Sequence, residues 1–346
     1  MGEESERVRD WLPRTAALIV GTLALATAFI AAYVGALHKP NPHDLPVGVV
    51  LGDQPAQAVM SGVRTRTNII KPVEYDSQGA AISGLNGREV YAVLHSDPGG
   101  GLVLATASAA APAATEVVTE VLTQATRQAG VPLQVTDEVP VASGDPRGLT
   151  PFYLAVGLVL GGYLASTALG VSLGTSPGNL RRAGLRIATL AVHAALLGII
   201  AAVLVGPVMH VYDHNVPALA LVGALAAFAA GMVAAAVQGW LGLLGTGLVI
   251  LLLVVLGNPG SGGISAPEFL PGFLRGMHRW NVPGLTTDLV KSVVYFDWRG
   301  GRWPLGGLLL WAALGVVGLL TATAFHAHRR AARSRPGPAG ERPADG

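Results

Sequence analysis

The sequence contains no cysteine, which removes disulfide staples, thiolate metal sites and cysteine nucleophiles together. Any domain outside a membrane must therefore hold itself by packing alone. Charge is also scarce: only 13% of the 346 residues are Asp, Glu, Lys or Arg, against 51% hydrophobic, with a mean hydropathy of +0.50. That balance is too apolar for an ordinary soluble domain and makes a bilayer the expected solvent. The phosphate-cradling pattern Gly-x-x-x-x-Gly-Lys-Ser/Thr occurs nowhere, so any ATP hydrolysis must come from another chain. No Gly-x-Ser-x-Gly elbow is present, and the neighbouring acids Asp137 and Glu138 read as a solvated strand end, so no enzyme activity, catalytic residue or cofactor is expected. The formal net charge is only +2. No basic stretch is interleaved with aromatics in a foldable segment, so no nucleic-acid partner is expected.

What the sequence does hold is a series of apolar runs. A helix needs about 20 mostly apolar residues to cross a hydrocarbon core. Six runs are read as spans: Thr15–Leu37, Phe152–Leu173, Leu185–Val205, Val216–Val237, Leu241–Leu256 and Leu305–Phe325. The fourth and fifth are expected to form a hairpin around Gln238, Gly239 and Trp240, and Trp11, Tyr153, Tyr212, Trp240 and Trp303 fall at span ends as interfacial aromatics. No acid or base is expected inside a span, Arg186 being assigned to the loop before the third, and this argues against an ion-coupled carrier. His193, well inside the third run, is expected to be a hydrogen-bonded core histidine.

Arg7, Arg9 and Arg14 precede the first run, Arg181, Arg182 and Arg186 fill the second-to-third connection, and Arg329, Arg330, Arg333 and Arg335 follow the last. The positive-inside rule puts all three groups, and so residues 1–14 and the tail 326–346, in the cytoplasm of a multi-pass plasma-membrane protein. The first run is longer than the apolar stretch of a signal peptide, which favours an uncleaved anchor. The Pro- and Gly-rich tail is expected to be disordered.

Residues 38–150 lie outside and are expected to contain a small α/β domain. Pro46–Leu51, Ile69–Tyr75, Val90–Leu94, Leu102–Thr106 and Leu133–Val139 read as strands, and Ala56–Thr67 and Ala113–Gln128 as helices. The second outer segment, 257–303, opens with a glycine-rich turn. It continues with Phe269, Leu270, Phe273, Leu274, Met277 and Trp280 at helical spacing, as in an interfacial or re-entrant helix, and a second piece runs from Leu285 to Phe296. The residues singled out for a re-entrant segment are Phe269, Phe273 and Trp280. His210, Asp213 and His214 place two imidazoles four apart around a carboxylate, the only weak candidates for a divalent-metal face, and no third distant ligand accompanies them. No metal is expected. Gly157 and Gly161, like Gly170 and Gly174, have the spacing of close helix crossings or of a dimer contact.

One span, an outer domain opening on His43-Asp44-Leu45-Pro46-Val47, the stretch from Asp145 to Tyr153, five further spans, and Gly257–Gly263 followed by Pro267–Pro271 together resemble an ABC-2-type permease of the phage-infection-protein group, in an actinobacterial style. The resemblance covers nearly the whole chain. It implies an α-helical integral membrane protein of six transmembrane helices with a small α/β extracytoplasmic domain inserted between helices 1 and 2. It also implies the permease subunit of an ABC-type exporter for a lipidic or hydrophobic substrate, working as a homodimer or with a paralogue, with membrane lipids and a separate cytoplasmic ABC ATPase as partners. The ATPase contact would then involve residues 3–14 and the loop carrying Arg181, Arg182 and Arg186. The alternative is a non-transporting scaffold or receptor, of phage-receptor or secretion-accessory type, that presents the external domain. The external domain is short and has no evident coiled coil, which argues against a far-reaching stalk.

Overall fold

The computed structural model describes residues 2–333 apart from Asp213. The chain opens with α1 (Gly2–Leu37) and passes into the alternating series β1 (Leu45–Val50), α2 (Gln54–Arg64), β2 (Ile70–Tyr75), α3 (Gln78–Asn86), β3 (Ala92–Ser96), β4 (Leu102–Thr106), α4 (Pro112–Ala129) and β5 (Leu133–Asp137). There follow α5 (Thr150–Leu173), α6 (Leu180–Val203), α7 (Val216–Leu241), α8 (Leu243–Ile250), α9 (Gly272–His278), α10 (Val282–Tyr295) and α11 (Arg302–Arg333). Five of these stretches are long and apolar enough to cross a membrane: Thr15–Leu37, Thr150–Leu173, Leu180–Val208, Val216–Leu241 and Arg302–Arg330. The protein is multi-pass and mostly helical, with one small sheet among the described residues.

That sheet has the order β2-β1-β3-β4-β5, parallel except where β3 and β4 form an antiparallel hairpin through the Asp97–Gly101 turn. Strand side chains alternate between faces. Leu45, Val47, Val49, Ala92 and Leu94 meet Met60 of α2 and Val118 and Leu122 of α4 on one side. Val93 and Ala105 meet Ala81 and Leu85 of α3 on the other. Pro112 at the first turn and Gly130, left-handed at φ +69°, delimit α4. The sequence reading omits α3. Its run of Gln, Gly, Ala and Ser has little amphipathic pattern, and the helix is set by the Ser77 hydroxyl, which accepts from Ala80 N at 3.2 Å.

The helical bundle is organised around α7, packed by α5, α6 and α11. The backbones approach so closely at Gly162, Gly198 and Gly315 that an added Cβ at Gly198 would lie 2.5 Å from Ala224 N and one at Gly315 2.5 Å from Met232 C. The glycines of the sequence motif behave differently: a Cβ added at Gly157 would meet nothing within 4 Å, and one at Gly161 only the side chain of Leu197.

The expected fifth span is corrected to something shorter. Helix α7 continues to Leu241, past the expected hairpin, and stops at Gly242 (φ +63°, ψ −142°). The next apolar stretch is α8 plus a π-helical segment, Leu251–Leu256. Thr246 is tied to Gln238 near the end of α7, while Gly263, seven residues beyond the π segment, lies against Phe152 at the start of α5. The chain thus returns along the bundle in a shorter, wider-wound path than a regular span. A second π-helical segment, Leu204–Val208, follows α6 and contains Pro207, whose nitrogen has no hydrogen to donate to the ladder.

Further corrections concern the helix ends. Arg186 is not in a loop. It lies nearly two turns inside α6, 6% exposed, and donates to the carbonyls of Leu169, Gly174 and Thr175, which closes the open carbonyl end of α5. Tyr212 is buried against Tyr295, ring centroids 5.8 Å apart, rather than interfacial. Residues 326–333, expected as disordered tail, continue α11. They are rich in helix-forming Ala and Arg, and His326 and Arg330 reach the Gly239 carbonyl and the Pro177 and Gly178 carbonyls. The remainder of the expected disordered tail, residues 334–346, lies outside the described residues. In α6 the Nε2 of His193 is enclosed without a hydrogen-bond partner, contrary to the bonded histidine expected.

Candidate functional site

The segment from Gly257 to Gly301 joins the sheet domain to the bundle. Ala266 and Phe269 are part of the sheet-domain core, together with Val47 and Met60. Phe296 enters the opposite sheet core with Leu85 and Val93. Between these plugs, α10 sinks Val282, Leu285, Leu289, Val290 and Val293 into the core shared by α5, α7 and α11. Asn281 starts α10 by accepting from Gly284 N at 2.5 Å, and Asn215 fixes its end by donating to the Val293 carbonyl at 3.0 Å. The three aromatics singled out for one re-entrant face therefore separate. Phe269 is buried in the sheet domain, Phe273 is 68% exposed, and Trp280 is 55% exposed beside Trp303. Their helical spacing breaks at Pro271, which begins a new helix after the Pro267–Phe269 turn.

Where the sheet domain, α9, α10 and the start of α11 meet, they form a partly open cavity of about 560 Å³. Four cationic side chains line it, Arg88, Arg275, Arg279 and Lys291, against the two carboxylates Glu268 and Asp288. Each is brought there by a local device. Arg88 follows the Gly87 cap of α3 and holds φ at +62°, a region non-glycine residues seldom occupy. Its guanidinium thereby pairs with the Asp288 carboxylate and also donates to the Asp288 carbonyl at 2.7 Å and Ser292 Oγ at 2.9 Å. His278, closing α9, lies with Nε2 3.1 Å from the other Asp288 oxygen and Nδ1 2.9 Å from the Ser261 carbonyl. Tyr91, at the entrance to β3, donates its hydroxyl to Glu268 at 2.7 Å.

Burial would raise the pKa of Asp288, but the Arg88 guanidinium and His278 outweigh it and hold the carboxyl well below its usual range. Burial pushes the Tyr91 hydroxyl well up, with the Glu268 charge adding to it. Lys291 is 4% exposed and makes one hydrogen bond, from Nζ to the Ala110 carbonyl at 2.8 Å. Burial, then the neighbouring Arg88 charge, lowers its pKa from 10.5 to about 8, despite the opposing pull of Asp288 and Asp145. Between those two values the unfolded chain holds a proton that the folded protein sheds. Thermal unfolding in detergent should therefore show the wild type gaining stability as pH rises from about 8 to about 10.5 relative to Lys291→Met; parallel pH profiles would contradict this burial.

A second polar cluster lies within the bundle. Gln238, 2% exposed, accepts from Ser166 Oγ at 3.1 Å and donates to Thr167 Oγ1 at 2.9 Å and Thr246 Oγ1 at 3.2 Å, joining α5, α7 and α8. Gln238→Leu should reduce bundle stability by about 0.6–1.7 kcal/mol, read by unfolding in mixed micelles; an unchanged value would deny the network any contribution.

Comparison with protein families, with curated proteins and with solved structures finds no match for this chain.

The residues proposed from sequence are scattered relative to the cavity. Arg181 and Arg182 are exposed on the first turn of α6, at the end of the bundle away from the sheet domain, and Arg186 is turned inward as described. His210 and His214 are exposed in the loop between α6 and α7, not on a helix, and His210 has φ +52°. Asp213 lies outside the described residues. Among the described residues no group of three or more metal-ligating side chains is gathered. Sequence reasoning missed Arg88, Asp288 and Lys291. The available signal was the pair Asp288 and Lys291, one helical turn apart in the otherwise apolar run from Leu285 to Phe296.

Proposed function

We propose that this chain is the membrane subunit of an ABC-type exporter, handling a lipidic or hydrophobic substrate and energised by a separate cytoplasmic ATPase. The observation that carries the reading is the interlock at α10. A domain held only for display needs a tether, whereas this one shares a partly open, charged cavity with the bundle through a helix inserted among three spans. That weighs against the scaffold or receptor alternative. We take the α8–Leu256 segment as a sixth, shortened crossing: it starts beside Gln238 at one end of the bundle, and Gly263, seven residues beyond it, lies against Phe152 at the other. Arg181, Arg182, Arg329 and Arg330 are exposed at the end away from the sheet domain, which supports a cytoplasmic location for that end and an extracytoplasmic one for the sheet domain.

Arg181 and Arg182 are the residues assigned to the ATPase contact, and Arg186 supports them by closing the end of α5. Purification in mild detergent with mass spectrometry of co-purifying proteins should recover an ATP-binding-cassette ATPase in stoichiometric amount. The double substitution Arg181→Glu with Arg182→Glu should abolish that recovery while the protein still inserts. Unaltered recovery would remove the assignment of the contact. An envelope protein recovered in place of the ATPase would overturn the exporter reading in favour of the scaffold.

A further inference from the structure

The cavity at the sheet-domain end has a chemical preference that can be read from its unmatched charges. Asp288 is committed to Arg88 and His278, and Glu268 accepts from Tyr91. Arg275 lies 3.7 Å from Asp44, outside the cavity. Among the described residues, neither Lys291 nor Arg279 has a carboxylate within salt-bridge distance. Lys291 is the unusual member. An ammonium has three donors, and this one, almost fully enclosed, gives one to the Ala110 carbonyl. A buried charge with unfilled donors is costly unless an anion with several acceptor oxygens completes it.

The surroundings select among anions. Trp303 lines the cavity and forms an edge-to-face pair with Trp280, ring centroids 5.0 Å apart, both rings more than half exposed. The indole nitrogen of Trp303 donates to the Arg279 carbonyl at 3.0 Å, so the aromatic pair and the cationic lining are one unit. Paired tryptophans at the end of a span mark the level of lipid headgroups. A free anion would have no use for such an apolar rim, and the cavity volume suits a headgroup rather than acyl chains.

We infer that this cavity binds the phosphate group of an anionic lipid, with Lys291 and Arg279 as its principal donors and Trp280 and Trp303 flanking the start of the acyl chains. The inference deepens the lipid-handling part of the exporter reading, but it needs no ATPase, so failed ATPase recovery leaves its test intact.

The full chain, purified in neutral detergent, would be titrated with phosphatidylglycerol, phosphatidylcholine or inorganic phosphate, with bound lipid counted by native mass spectrometry and phosphate followed by thermal shift. Phosphatidylglycerol should be retained in preference to phosphatidylcholine. Losing one charge-assisted donor should weaken its binding on the order of tenfold in Arg279→Gln. Arg279 is exposed, so this variant keeps the proposal testable if Lys291→Met fails to fold; Arg279→Lys should restore part of the loss. Arg127→Gln, on the exposed face of α4, should bind as the wild type does. Equal retention of both lipids, or phosphatidylglycerol binding that Arg279→Gln leaves unchanged, would overturn the site. Stabilisation by inorganic phosphate without preference for phosphatidylglycerol would overturn the lipid as the source of the phosphate.

Discussion

Asp288→Ala is expected to undock the sheet domain from the bundle without unfolding either. The carboxylate is the common partner of Arg88, which belongs to the sheet domain, and of His278, which closes α9, while Asp288 itself is on α10. Its removal leaves the Arg88 guanidinium enclosed, its side chain only 14% exposed, with one carbonyl and one hydroxyl as partners. Breaking a buried pair in this way costs about 3–5 kcal/mol. Hydrogen exchange in α9 and α10 should accelerate by about a hundredfold or more, with the interior of α7 unaffected. Exchange at the wild-type rate in Asp288→Ala would refute the docking role.

Two controls separate charge from packing. Asp97→Ala, at a partly exposed position in the turn between β3 and β4 with no ion pair among the described residues, should change stability by no more than about 0.5 kcal/mol. Replacing both partners, Arg88→Met with Asp288→Leu, should recover much of the loss, because the unpaired buried charge is gone. The pH dependence has a definite sign. With its folded pKa held below the ordinary carboxylate value, Asp288 contributes fully at neutral pH, and that contribution is lost only as pH falls below about 3.9.

The strands and the long spans were legible because each is encoded within its own segment. Alternating burial in Leu45, Val47 and Val49 and unbroken apolarity in Val216–Leu241 are local patterns. Local pattern failed where structure depends on partners. The stretch from Leu241 to Leu256 is as apolar as a span, yet Gly242 and the π-helical turn divide it. Phe269, Phe273 and Trp280 share helical spacing, yet Pro271 sends them to different surroundings. The cavity was illegible for a stronger reason. Arg88 and Asp288 are 200 residues apart and meet only because α3 ends, and α10 inserts, at the same junction. A single Arg after a glycine carries no sign of that, whereas Asp288 and Lys291 in an apolar run did mark a helix whose neighbours had to supply charge.

The same limit governs the glycines, and it yields the second large effect. Among 46 glycines, spacing cannot tell which ones bring two helices together. In the structure Gly162 and Gly157 share α5, five residues apart, yet differ completely. A Cβ at Gly162 would collide with the Ala227 carbonyl of α7, whereas Gly157 has open space around it. The obstacle at Gly162 is main chain, which no rotamer change can move aside, so α5 and α7 would have to separate along a packed crossing. Gly162→Ile is therefore expected to cost more than about 3 kcal/mol and to abolish the single sharp peak of detergent-solubilised protein in size-exclusion chromatography. Gly157→Ile, with the same side chain on the same helix, should leave that peak in place. Equal behaviour of the two would mean that α7 is not the helix around which the bundle closes, and that the Gly162 crossing does not hold α5 against it.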